Sequence, residues 1–95
     1  MDLNTICSFD YLKNEAEELV KEVLGKEMDK DKTICDCQDC ILDTVGLALN
    51  NVRPLYKTSL KGSLYTTTPD KKYIETLEKA VKLSIKKIKA SPSHS

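Results

Sequence analysis

The sequence predicts an all-α fold, a small domain of three to four helices, and three observations predict it. Apolar residues recur at helical spacing in three separate segments. Glycine, proline and cysteine mark the breaks between those segments. The 95 residues fit one domain and leave no room for a second, with a folded core expected over 8–89 and a flexible tail over 90–95. Hydrophobic residues at 40% and charged residues at 32% suit a folded soluble chain rather than a disordered one.

The first helix is expected from Ser8 to Leu24, where Phe9, Leu12, Ala16, Leu19, Val20 and Val23 fall on one stripe. Ser8 stands as its N-cap, Asp10 suits its first turn and Gly25 reads as its stop. Glu27 to Lys32 reads as a charged connector. The second helix opens in a cysteine cluster and runs to about Asn51, with Ile41, Leu42, Val45, Ala48, Leu49 and Val52 on one face. Gly46 weakens it by up to about 1 kcal/mol relative to alanine, so close approach by another backbone is the expected reason for it. Pro54 ends the segment, because the residue before a proline avoids helical geometry. Residues 55–68 form a loop carrying Tyr56, Lys57, Lys61, Gly62, Tyr65 and several hydroxyls, and loops of that length tend to carry function or to be disordered. The third helix starts at Thr68-Pro69-Asp70, a cap followed by a proline and an acid in the first turn. Its buried stripe is Tyr73/Ile74, Leu77, Ala80/Val81, Ser84/Ile85 and Ile88, and Lys86, Lys87 and Lys89 suit the negative end of the helix dipole. Three short amphipathic helices cover little core, so a helical homodimer is the expected way to bury the remaining apolar faces.

Formal net charge is zero, but the charges are not evenly spread. Residues 1–45 hold twelve acids and five bases, a net −7, and residues 46–95 hold ten bases and three acids, a net +7. Such asymmetry points either to an anionic partner for the basic half or to an acidic first helix packing beside a basic last one. The seven lysines from Lys71 to Lys89 fall on the sides of the third helix left over by its apolar stripe, as on any solvated helix. A long nucleic acid is therefore not the favoured partner. No apolar run reaches membrane-spanning length and no basic region precedes an apolar stretch at the N-terminus, so a cytoplasmic protein with no membrane partner is expected.

Cys35, Cys37 and Cys40 form C-x-C-x-x-C. Three thiols in six residues of a cytosolic chain read as a metal or redox site rather than a structural disulfide. A helix N-terminus favours thiolate, the species that binds metal. Closed tetrahedral zinc needs four ligands. Cys7, at the start of the first helix, is the expected fourth; His94, in the tail, is the poorer candidate. A Cys37–Cys40 redox pair, an iron–sulfur cluster and unligated thiols are the alternatives. Catalysis is not expected, because the chain has no nucleophile–base pair and its single histidine lies in the tail.

The run Cys35-x-Cys37-x-x-Cys40, Asp43, Ala48-Leu49-Asn50 and Pro54-x-Tyr56 resembles the late competence development protein ComFB family. The cyanobacterial branch of that family is similar further along, through Pro54-Leu55-Tyr56-x-Thr58-Ser59-x-Lys61-Gly62. The match covers roughly residues 10–62. It departs from the family at Asn51, where arginine is usual, and at Arg53, where proline is usual. The resemblance implies an all-α homodimer, zinc held by the cysteines, cyclic dinucleotide binding (cyclic di-GMP, and cyclic di-AMP in some members) and no catalytic activity.

The residues can be read toward such a ligand on their own chemistry. Two copies of one loop in a two-fold dimer suit a two-fold ligand. Lys61 and Gly62 can bring an ammonium and a bare backbone N–H to a phosphate, and Thr58 and Ser59 can donate hydroxyls to it. Arg53 or Lys57 adds a second charge, Tyr56 and Tyr65 offer stacking faces, and Asp43 can accept from a guanine edge. Asn50 belongs to the same motif. Each has a plainer reading: Asn50 as a helix cap, Tyr56 as a packing anchor, Lys61-Gly62 as a turn, Asp43 as support for the zinc loop. Three functions follow: a cyclic-dinucleotide receptor signalling to an unidentified protein partner, a zinc-stabilised adaptor in competence or DNA uptake, or a thiol redox protein using Cys37 and Cys40.

Overall fold

A computed structural model describes residues 1–57 and 69–92. Three helices carry the fold: α1 over Glu15–Lys30, α2 over Gln38–Asn50 and α3 over Lys71–Ala90. The all-α expectation holds, with one small addition. Strand β1 (Lys13–Asn14) pairs antiparallel with strand β2 (Tyr56–Lys57), in the register Lys13 to Lys57 and Asn14 to Tyr56.

The first helix begins later and ends later than its apolar spacing predicts. Phe9 and Leu12 are exposed, at 46% and 44%, and Phe9–Tyr11 is a single 3-10 turn after Ser8, whose side chain makes no capping bond. The cap is Asn14, whose carboxamide oxygen accepts the Ala16 N–H at 3.1 Å, with Glu15, Glu17 and Glu18 in the positive first turn. Gly25 does not stop the helix. Its φ is not in the left-handed region, and α1 runs on through the expected connector to Lys30, so that Met28 packs against the core. The apolar stripe thus continues one turn past the glycine, and that packing outweighs a cost of about 1 kcal/mol for glycine within a helix.

In α2, Cys40, Thr44 and Ala48 are buried, and Ile41, Val45 and Leu49 flank them against the core. Leu42 is not on that face and stands 57% exposed. Gly46 is exposed too, and a Cβ built there meets nothing within 4 Å among the described residues, so none of their backbones requires glycine at this position. Helix α3 carries the buried stripe as expected: Tyr73, Leu77, Ala80, Val81, Ser84 and Ile85. Its cap is Asp70, which accepts the Tyr73 N–H at 2.7 Å, so Pro69 precedes the cap instead of following it, and Thr68 lies outside the described residues.

Asp31, at the C-terminal end of α1, pairs with Lys89, at the C-terminal end of α3, at 2.6 Å. α1 and α3 therefore run in the same direction and α2 returns between them. Leu77, Val20 and Val81 are fully buried at the centre, each contributing about 1.5–3 kcal/mol by leaving water. The buried hydroxyls of Thr44 and Ser84 donate to the carbonyls one turn back, Cys40 at 2.7 Å and Ala80 at 2.8 Å, so neither is left unpaired. Among the described residues no helix is long and apolar enough to cross a membrane.

This up-down-up arrangement gives the bundle two distinct ends. One gathers the C-terminal end of α1, the start of α2 and the end of α3. The other gathers the start of α1, the end of α2, the β1–β2 pair and the start of α3.

Candidate metal centre

The start of α2 is set by a cysteine. Cys37 is the N-cap, in extended conformation, and its sulfur accepts the Cys40 N–H at 3.4 Å. The C-x-x-C spacing therefore returns Cys40 to the side of Cys37 after one helical turn, while Cys35 arrives from the preceding loop, as the spacing predicts. The three sulfurs lie within 4.8 Å of one another. Sulfurs about 2.3 Å from a tetrahedral ion sit about 3.8 Å apart, so small side-chain rotations bring these three onto three corners of a zinc tetrahedron. Cys40 is buried, with Cys35 and Cys37 half-buried, and none is in a disulfide.

Electrostatics at the cluster favour a cation. The Cys37 backbone N–H pulls the Cys35 thiol downward, but the Cys37 and Cys40 thiols and burial outweigh it, and the net shift is upward. Three crowded sulfurs resist ionising together, and a divalent ion removes that penalty by displacing their protons. Three thiol donors make a soft set, which suits an ion such as zinc.

Cys7 does not join this group. It is exposed and precedes α1, whereas the cluster follows the far end of that helix. Thr33, Ile34, Cys35 and Thr44 face Ile85, Lys89 and Pro92 across a cavity of about 260 Å³ that opens beside the cluster. At its edge Asp31 holds the turn into α2: its carboxylate accepts from the Thr33 N–H at 2.9 Å and from Lys89 at 2.6 Å. The Lys89 ammonium and the Thr33 donors hold the Asp31 carboxyl well below the usual carboxylate range.

The residues expected to meet a nucleotide are spread over the opposite end and one flank. Asp43 and Asn50 line an open groove of about 320 Å³ with Leu42, Gly46, Leu47 and Ile88. Asn50 is the last residue of α2, but the cap is Asn51, whose side-chain amide donates to the Leu47 carbonyl at 2.8 Å. Arg53 lies in a different cavity, of about 360 Å³, with Asn51, Asp70, Lys72, Tyr73 and Thr76. Its guanidinium stands 5.9 Å from the Tyr73 ring centroid, and its carbonyl accepts the Tyr73 hydroxyl. Burial pushes the Tyr73 phenol up and Arg53 opposes it. Tyr56 is 52% exposed on β2. Thr58, Ser59, Lys61 and Gly62 lie outside the described residues, as do Tyr65 and His94. Sequence reasoning missed Lys72, Tyr73 and Thr76 as neighbours of Arg53, because only the tertiary fold joins positions 20 residues apart. It also missed Asn14, whose oxygen accepts the Leu55 N–H at 2.9 Å as well as capping α1. The pattern Asn14-x-x-Glu17 is the capping signal that could have found it.

The family model for late competence development protein ComFB matches residues 13–92. The competence protein ComFB of Bacillus subtilis (strain 168) is 42% identical over 55 residues, which is 58% of this chain and 56% of that protein, so the chain spans just over half the length of this curated relative. A solved structure of the late competence protein ComFB from Bacillus subtilis superposes with a TM-score of 0.66 at 34% identity, covering 86% of this chain and 94% of that one.

Proposed function

Because the chain belongs to the ComFB family, we propose that it is a non-enzymatic receptor for a cyclic dinucleotide, with a structural zinc at one end and the ligand held at the other. It works as a homodimer and passes ligand occupancy to a protein partner, in competence development as the family's name has it.

One observation carries the ligand half of this reading. The cavity of about 360 Å³ is lined by Arg53 and Lys72 together with Asn51, Asp70, Tyr73 and Thr76. Two cations, an amide, a hydroxyl and an aromatic ring suit a phosphodiester attached to a purine, and the one carboxylate there, Asp70, is engaged by the Tyr73 N–H at 2.7 Å. Thr58, Ser59, Lys61 and Gly62 follow β2 in the sequence and precede Asp70, a residue that lines that cavity. Asn51 and Arg53, the two positions that depart from the family pattern, both line the cavity as well. The displaced arginine therefore still supplies a cation there. The metal half rests on the three sulfurs within 4.8 Å.

Thermal-shift and calorimetric titration with cyclic di-GMP, cyclic di-AMP and the matching mononucleotides test the receptor reading. Ligand at a hundred times its dissociation constant stabilises by about 2.7 kcal/mol, a readily measured rise in Tm. Lys61→Ala and Lys72→Ala should each weaken binding by roughly 1–3 kcal/mol, the scale of a lost charge-assisted hydrogen bond. If neither cyclic dinucleotide binds below about 100 μM, a threshold near −5.5 kcal/mol, the receptor reading is wrong.

A further inference from the structure

We propose that the flank of the bundle shared by α2 and α3 is the surface on which a second copy of this chain docks, with α2 of each copy lying on α3 of the other about a two-fold axis. The inference rests on the homodimer reading above and deepens it, by naming the surface and its pairing.

Apolar side chains of that flank are left in water. Leu42 and Leu83 are 57% and 49% exposed. Leu47 and Ile88, half-buried, line the open groove that also holds Leu42 and Gly46. Leu83 belongs to the same side of α3, because it stands two helical turns after Thr76, which lines a cavity together with Asn51 at the end of α2. Gly46 costs α2 about 1 kcal/mol relative to alanine, and a Cβ there would meet none of the described residues. A second backbone packed closely on the groove gives this glycine the use that its own protomer does not.

Charge identifies the occupant. Asp39 and Asp43 are the only charged residues of α2. Asp43 lines the groove, and Asp39 precedes it by one turn on the same side. On α3, Lys79, Lys86 and Lys87 stand three or four residues from Leu83 and so surround it, while the two acids of that helix, Glu75 and Glu78, lie nearer its start. Docking α2 on α2 would bring carboxylates together, and docking α3 on α3 would bring ammoniums together. The crossed pairing, α2 on α3 in both directions, matches opposite charges twice, and a two-fold axis generates it from a single patch. Leucines at the centre and charges around them are the arrangement of a protein–protein contact.

Sedimentation equilibrium of the full chain, with zinc and under reducing conditions, reads the association directly. The wild type should be a dimer. Leu42→Glu and Leu83→Glu should each raise its dissociation constant by about tenfold or more, with helical content by circular dichroism unchanged, since neither side chain belongs to the protomer's core. Leu3→Glu, on the exposed apolar stretch ahead of α1, should leave association as it is. Charge reversal tests the pairing. Asp39→Lys with Asp43→Lys, or Lys86→Glu with Lys87→Glu, should weaken self-association, and mixing the two variants should restore a dimer with one chain of each. Wild-type association in both leucine variants, or dissociation by Leu3→Glu alone, would overturn the assigned surface while leaving the homodimer reading intact. A wild type that stays monomeric would overturn both.

Discussion

At one end of the three helices, Cys35, Cys37 and Cys40 gather within 4.8 Å, and the turn beside them is held by an exposed ion pair. At the other end, Asn14, Leu55, Arg53 and Tyr73 are joined by hydrogen bonds between neutral groups, with a two-residue strand pair alongside. At the first end three crowded thiols could ionise together only around a cation. The second is satisfied by amide, carbonyl and phenol, and has Arg53, Lys72 and Asp70 lining a cavity. The difference teaches that a small core can be closed at its two ends by unlike means: one by clustered thiols and an ion pair, the other by hydrogen bonds between neutral groups.

The largest expected effect is metal removal. Chelation, or Cys37→Ser, should cost several kcal/mol and lower Tm by more than about 10 °C. Hydrogen exchange should show loss of protection first in residues 32–41, with Val52 to Tyr56 protected longer. Uniform loss along the chain would break the contrast between the ends. Next is Asn14→Ala, which removes a helix cap and the bond to Leu55 and should cost about 1–2 kcal/mol in denaturant unfolding. That loss should be the same with and without zinc; a zinc-dependent value would show that the ends are coupled. Gly25→Ala comes third. Nothing lies within 4 Å of the added carbon, so it should stabilise by up to about 1 kcal/mol. Gly46→Ala has the same open surroundings and should gain similarly in the monomer; a weaker self-association measured by sedimentation would place the Leu42–Ile88 groove in the dimer contact.

The smallest effect concerns acid. Asp31 has a folded pKa below its unfolded value, so its contribution is full above about pH 4. It is lost as pH falls further, through the depressed native value. Asp31→Asn should flatten the acid limb of the stability profile slightly, and raised salt should diminish the difference.

The parts legible in the sequence were those fixed by local spacing. The α3 stripe was legible because one buried face recurs over five turns, and the thiol cluster because C-x-x-C spans one turn. The start of α1 was misread because Phe9 and Leu12 keep helical spacing yet stay exposed, so periodicity alone extended the helix past its Asn14 cap. Gly25 and Gly46 were read as signals, although neither position demands glycine's conformations or its missing side chain. The separation of Cys7 from the cluster depends on which end of α1 each occupies, and the Arg53–Tyr73 contact on where α3 lands. Both are properties of tertiary arrangement that no short motif encodes.

The doubly used oxygen of Asn14 has a consequence in time. Its bond to Leu55 joins positions 41 residues apart, whereas the helices close through contacts four residues apart. Contacts of long sequence separation form late, because the intervening chain must be ordered before they are rewarded. The β1–β2 clamp should therefore be the last element to form during folding. Its opening would release the twelve residues ahead of it while the three helices still stand.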